Sequence, residues 1–209
     1  MSNARNLANL LGTNTLVQPS NINLAGTFAF TGTVSGASGF DLVASGSTTT
    51  DASSLDISTD YSGYNHFFLT LTAKGTSTNT SHSWDFTLKR AGETSFDTGS
   101  SDYSCSGISL DSGSYTNRNQ NSQATGEFFF NNESQKDWSL NAWLYNFGNT
   151  ERQLSCVSTA TKVQSGGNAT YFMQSGYNGD KNLERVIEMS IFFQQGNIDN
   201  SDYRLYGIK

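Results

Sequence analysis

The sequence predicts an all-β fold, an antiparallel sandwich or barrel, preceded by a short N-terminal helix and an extended arm. Three observations carry that prediction. From Thr27 onward, apolar residues recur with a period of two. The alternating runs are rich in β-branched and aromatic residues and are broken by Gly, Asn, Ser and Asp clusters. No helical period intervenes between them, which excludes a layered α/β arrangement.

In chain order, residues 3–11 read as a helix, with Leu7, Leu10 and Leu11 on one face. Ser2 or Asn3 can cap its start and Gly12 its end. A helix this short is marginal alone, so its leucines need something to dock on. Residues 12–26, with the lone Pro19, read as an extended arm. The expected division is therefore an anchoring segment over 1–26 and a sandwich over 27–209.

Strands are expected at Thr27–Thr31, then at His66–Lys74 with Phe67, Leu69, Leu71 and Ala73 on one face. His82–Arg90 turns Trp84, Phe86 and Leu88 one way; Glu127–Asn131 is a short aromatic strand. Trp138–Tyr145 buries Trp138, Leu140, Ala142 and Leu144, and Gln153–Lys162 runs through Cys156. Arg185–Gln194 sets Ile187, Met189, Ile191 and Phe193 against Val186, Glu188, Ser190 and Phe192, and Tyr203–Ile208 closes the series. Turns are expected around Gly92, Gly148, Gly166-Gly167, Asn178-Gly179 and Gly196. Asp111–Gln123 reads as a long polar loop.

Composition narrows the function. Only 14% of the 209 residues are charged, the formal net charge is −6, and aromatics make up 12%. Ser and Thr supply about a quarter of the chain, well above common usage. An acidic, charge-poor chain lacks the Lys/Arg stripe that nucleic acid or an anionic membrane surface demands. No apolar stretch approaches the ~18 residues of a membrane span, and the start does not read as a secretory signal. Cys105 and Cys156 read as two buried free thiols, with a single bridge between them as the alternative.

The chemistry-bearing residues form no recognised constellation. His66 and His82 read as structural, and His82-Ser83 beside Asp85 lacks a nucleophile elbow. Asp97, Asp102, Glu127, Glu133 and Asp137 offer carboxylates for a pair, but any chain offers as many. Asp199-Asn200-Ser201-Asp202 reads as a turn rather than a calcium loop. No cofactor, metal or catalytic residue is expected. Trp143 and the tyrosines can stack on a sugar or on another subunit.

Several strands carry aromatics toward both faces: Phe67 with Phe68, Phe128 to Phe130, Phe192 with Phe193. One face of a sandwich strand meets the core, so the other needs a neighbour. Phe68, Phe129, Trp143 and Phe192 are accordingly the expected oligomer interface, with a trimer expected by analogy.

Two terminal segments, Ala4-Arg5-Asn6-Leu7-Ala8-Asn9-Leu10-Leu11 and Leu205-Tyr206-Gly207-Ile208, resemble the start and end of a group of tailed-phage virion proteins. Between them, Tyr64-Asn65-His66-Phe67, Phe96-Asp97-Thr98-Gly99-Ser100-Ser101-Asp102-Tyr103, Gly126-Glu127-Phe128-Phe129-Phe130-Asn131-Asn132 and Gly196-Asn197-Ile198 follow the same order of short motifs. Gln174-Ser175-Gly176-Tyr177 departs from it, standing where a Gly-x-Trp motif belongs. The resemblance implies that the fold is an antiparallel jelly-roll-like β-sandwich and that the chain is a structural protein on the virion surface, assembled in the host cytoplasm and bound to the major capsid protein or another virion protein. Virion attachment falls to Arg5, Leu7, Leu10 and Leu11. No fibre shaft repeat is present, which favours a capsid cement or decoration protein over a short tail fibre or a receptor-binding tip that grips host glycan.

Overall fold

The computed structural model of the chain describes residues 39–76, 82–111, 114–131, 137–150, 152–164, 167–177 and 184–209. The helix, arm and first strand expected before residue 32 lie outside these residues.

Among the described residues the secondary structure is twelve strands and one 3-10 turn, Tyr61–Gly63. The strands are β1 (Asp41–Thr48), β2 (Leu55–Ser58), β3 (His66–Gly75), β4 (His82–Arg90), β5 (Tyr103–Asp111), β6 (Ser114–Gln123), β7 (Gly126–Asn131), β8 (Asp137–Tyr145), β9 (Ser155–Gln164), β10 (Gly167–Tyr177), β11 (Val186–Phe193) and β12 (Ile198–Ile208). All pair antiparallel. They build an eight-stranded sheet, β1-β12-β3-β8-β9-β10-β5-β6, and a four-stranded sheet, β2-β11-β4-β7. The inner faces of the two sheets share one apolar core, as an all-β sandwich requires.

Period two places the core. On β3, Phe67, Leu69, Leu71 and Ala73 are buried; on β8, Trp138, Leu140, Ala142 and Leu144 are. Trp84, Phe86 and Leu88 of β4 meet them from the small sheet. Five of the strand pairings among the described residues carry a register slip, and two of the slips redirect core side chains. Between Val186 and Glu188 the register against β4 slips, so Val186 enters the core and Ile187 does not. On β7, Phe129 opposes Trp84 and Glu127 opposes Asp85, which leaves Phe128 as the extra residue. Both Phe128 and Phe129 are therefore buried.

The outer edge of β7 is sealed rather than paired. Ser158 Oγ donates to the Phe128 carbonyl at 2.5 Å, and Ser175 Oγ donates to the Glu127 carbonyl at 2.7 Å. The Glu127 amide in turn donates to Ser175 Oγ at 3.1 Å. Two serines of the large sheet thus satisfy backbone groups that would otherwise sit buried and unmet.

Two expectations are corrected. Ser114–Gln123, expected inside a loop, is strand β6. It is an edge strand exposed on both faces, so it needs the ladder to β5 but no apolar alternation. Asp199 to Asp202, expected as a turn, lies within β12, where Lys74 across the ladder reaches Asp199 at 3.2 Å. Strands β1, β2, β5 and β10 were not foreseen either. The turns at Gly92 and Gly196 stand as expected, with φ of 87° and 107° that glycine alone adopts freely.

Candidate functional site

The outer face of the large sheet carries an aromatic cluster that the core does not use. Strand register sets Leu42, Tyr206, Phe68, Trp143 and Val157 side by side across β1, β12, β3, β8 and β9. Their neighbours along each strand point inward, so period two forces this row outward. Phe68 packs on Trp143 with ring centroids 4.9 Å apart. Phe40, just before β1, lies edge-on to Phe68 and Trp143 at 6.0 Å and to Tyr206 at 6.4 Å. Trp143 and Tyr145 stand nearly parallel, 15° apart, at 6.4 Å. The rings remain open to solvent: Trp143 is 38% exposed and Phe40 43%. Beside them runs a polar row, Arg204, Thr70, Asn141 and Thr159. Contiguous exposed aromatics with a polar border are the surface expected of a binding face.

Of the four expected interface residues, the fold brings Phe68 and Trp143 together here. Phe192 is half-buried on the other sheet, facing away from the core that Ile191 and Phe193 enter. Phe129 is corrected: it is 1% exposed and stacks on Trp138 at 4.1 Å, because the β7 bulge turns it inward. Arg5, Leu7, Leu10 and Leu11 lie outside the described residues. Phe40, Leu42 and Val157 were missed. Val157 and Leu42 could be found only from strand register, which a single sequence does not contain. Replacing Phe129 with alanine should cost about 3–5 kcal/mol. Trp143→Ala should cost the isolated chain under ~1.5 kcal/mol, since the ring is already part solvated. Urea unfolding of both variants measures the difference, and equal losses would mean that the aromatic face is core.

The polar residues weighed as chemistry have structural partners. Asp97 accepts from the Tyr177 hydroxyl at 2.9 Å and faces Arg90 at 3.6 Å. Arg90 is fully buried, lies 3.9 Å over the Tyr177 ring and donates to the Glu184 carbonyl. Burial raises the Asp97 pKa and lowers that of Arg90, so the pair is held by geometry against a desolvation cost on both sides. Asp102 accepts the Gly99 amide at 2.6 Å, which fixes the Phe96–Tyr103 segment. Glu127 is 2% exposed and takes both Nε and Nη2 of Arg118, at 3.0 and 2.5 Å. Asp85 is buried nearby, accepts from Thr125 at 2.8 Å, and is pushed up to about 6, chiefly by burial. His66 Nδ1 accepts the Asn146 amide at 3.2 Å. Cys105 and Cys156 are free and buried, as expected, and burial pushes the Cys105 thiol up to about 11. Among the described residues no group of three His, Cys, Asp or Glu side chains is placed to hold a metal.

No family model and no curated protein matches the chain. Among solved structures it is similar to the CBM2 module of the evolved Dit of Lactobacillus casei BL23 phage J-1, at 13% identity. That likeness covers 88% of this chain and 81% of the module, with a TM-score of 0.22, too low to say anything of fold or function.

Proposed function

We propose that this chain is a non-enzymatic structural protein of a tailed-phage virion. In this reading it is a capsid cement or decoration protein, on the virion surface, that attaches through Arg5, Leu7, Leu10 and Leu11 to the major capsid protein. It assembles with copies of itself, as a trimer, through the outer face of the large sheet. The observation that carries the assembly is the open cluster of Phe40, Phe68, Trp143 and Tyr206 on a sheet whose other face already fills the core. Few charges and many neutral hydroxyls suit a surface that is covered in an assembly. The phage assignment rests on the terminal segments.

Strand order supports the jelly-roll reading. Setting aside the β5–β6 and β9–β10 hairpins leaves β1, β12, β3, β8 in one sheet and β2, β11, β4, β7 in the other. Numbered one to eight along the chain, those strands run 1-8-3-6 and 2-7-4-5. We read this as two Greek keys wound into a jelly roll, with both hairpins extending one sheet.

Removing residues 1–20 should leave a folded domain that no longer joins the particle, read by quantitative gel of purified virions. Full occupancy by the truncated protein would remove the anchor. A copy number confined to tail stoichiometry would overturn the capsid assignment and favour the second reading, a short tail fibre or receptor-binding tip. The near-parallel Trp143 and Tyr145 rings are what favour that reading, since flat paired rings can stack on sugar faces. A glycan array with the full chain separates the two: cement gives no hits.

A further inference from the structure

The two sheets have four edges, and they are protected very unequally. β7 is sealed by Ser158 and Ser175. β2 is only four residues long. β1 carries a charge at its start, Asp41, which Lys209 reaches at 3.5 Å. β6 is different: ten residues, Ser114 to Gln123, exposed on both faces, and paired among the described residues with β5 alone. The usual guards of an edge strand are charge, proline and twist away from solvent. β6 contains no Pro, Lys, Asp or Glu, and its one bulge, at Asn121 and Ser122, lies near its end and leaves Ser114 to Gln120 in regular register with β5. Its one charge, Arg118, is turned to the buried Glu127 and is absent from the edge.

Neutrality matters because the chain as a whole is repelled by its own copies. Its net charge is −6, so two copies approach most easily where neither presents charge. The exposed side chains of β6 include Asn117, Asn119 and Asn121, spaced by two along one face. Amides so placed can donate and accept across a symmetric junction. Beside the edge lies a second apolar strip. Tyr115 is 62% exposed and pairs in register with Leu110, and Phe172 pairs with Ile108; Leu110 and Phe172 are also open. Backbone groups for a ladder and apolar side chains for a core therefore lie together at one place.

We propose that β6 is a self-pairing edge: two copies of this chain join β6 to β6, antiparallel about a two-fold axis, and fuse their large sheets. The seven residues in regular register, Ser114 to Gln120, give a ladder about 24 Å long. The junction is separate from the Phe68–Trp143 ring pair, because β9, β10 and β5 stand between the Trp143 strand and β6. A chain with two different self-contacts can extend across a surface, where one contact only closes a small oligomer.

The test uses the full chain and sedimentation velocity. A Phe68→Ser/Trp143→Ser variant removes the aromatic contact and should remain a dimer through β6. Adding Asn117→Lys/Asn119→Lys should weaken that dimer by at least tenfold and give monomer, with the far-UV circular dichroism of the folded chain unchanged. Amide exchange at β6 should be slow in the dimer and fast in the monomer, which tests the pairing without relying on a variant. A Phe68→Ser/Trp143→Ser protein that is monomeric throughout the micromolar range would overturn the proposal, as would a dimer that survives the lysines. If that variant instead keeps the mass of the wild type, it is the aromatic-face reading that fails, and the β6 edge is then tested alone by the lysine pair.

Discussion

Gly148→Ala should lower the stability of the chain by at least about 3 kcal/mol, at the upper end of what overpacking costs. An added Cβ would lie 1.9 Å from the Tyr64 carbonyl oxygen and 2.0 Å from that of Tyr61. Both are backbone atoms, so no rotamer change relieves the overlap; one of two backbone segments must move. Neither is free to do so. Tyr61 is buried, donates its hydroxyl to the Ile57 carbonyl at 3.2 Å, and packs edge-on to Phe67 at 4.9 Å. On the other side, the Phe147 carbonyl accepts the Val186 amide at 2.9 Å, and Asn149 closes a turn onto Asn146 at 3.1 Å. Three elements thus meet around a position where only a hydrogen fits. For a chain of this size the loss corresponds to a fall in melting temperature of roughly 6–12 °C. Gly63→Ala is the control: nothing lies within 4 Å of its added Cβ, and its backbone is not left-handed. Its melting temperature should stay within about 2 °C of wild type. Equal melting curves for the two variants would show that the Tyr61–Tyr64 turn yields readily.

Gly148 was legible in the sequence as turn punctuation, but the reason it must be glycine was not. The crowding comes from Tyr61 and Tyr64, far away in the chain. The same division runs through the fold. Strands β3, β4 and β8 were readable because each is central, with one apolar face and one polar face along its length. β6 was not, since an edge strand exposed on both faces has no alternation to read. β5 and β10 were hidden for another reason: their inward positions include Gly107, Ser109 and Ser175 beside Tyr171 and Met173, so small and polar residues dilute the pattern. At the aromatic face, Phe68 and Trp143 stood out because each sits between buried neighbours. Phe129 looked alike in sequence, yet one extra residue in β7 reversed its direction. A bulge is a pairing property, and pairing needs the partner strand.

Arg118→Met should cost about 3–5 kcal/mol at neutral pH, because it leaves Glu127 buried with its carboxylate unpaired. The double variant Arg118→Met/Glu127→Met should recover most of that loss, since the pair is worth little more than well-packed apolar replacements. A single loss that the double variant does not relieve would place the cost in the β5–β6 hairpin. The pH dependence adds a second signature through Asp85. Its carboxyl is pushed up to about 6 in the folded chain from a reference value of 3.8, mainly by burial and with Glu127 adding to it. The folded state therefore binds the proton more tightly than the unfolded state. Stability from this group is fully present below about pH 4 and is lost as pH rises through about 6. The shift of about 2 pH units corresponds to roughly 3 kcal/mol at most. Asp85→Asn keeps an acceptor for Thr125 and removes the titration. Its stability should be flatter between pH 4 and 6 than that of wild type, and equal or higher at pH 7.5. Arg118 lowers the Asp85 value, so in Arg118→Met the fall in stability should extend to higher pH. Urea midpoints measured from pH 4 to 8 for the three proteins decide this, and parallel curves for wild type and Asp85→Asn would remove Asp85 as the titrating group.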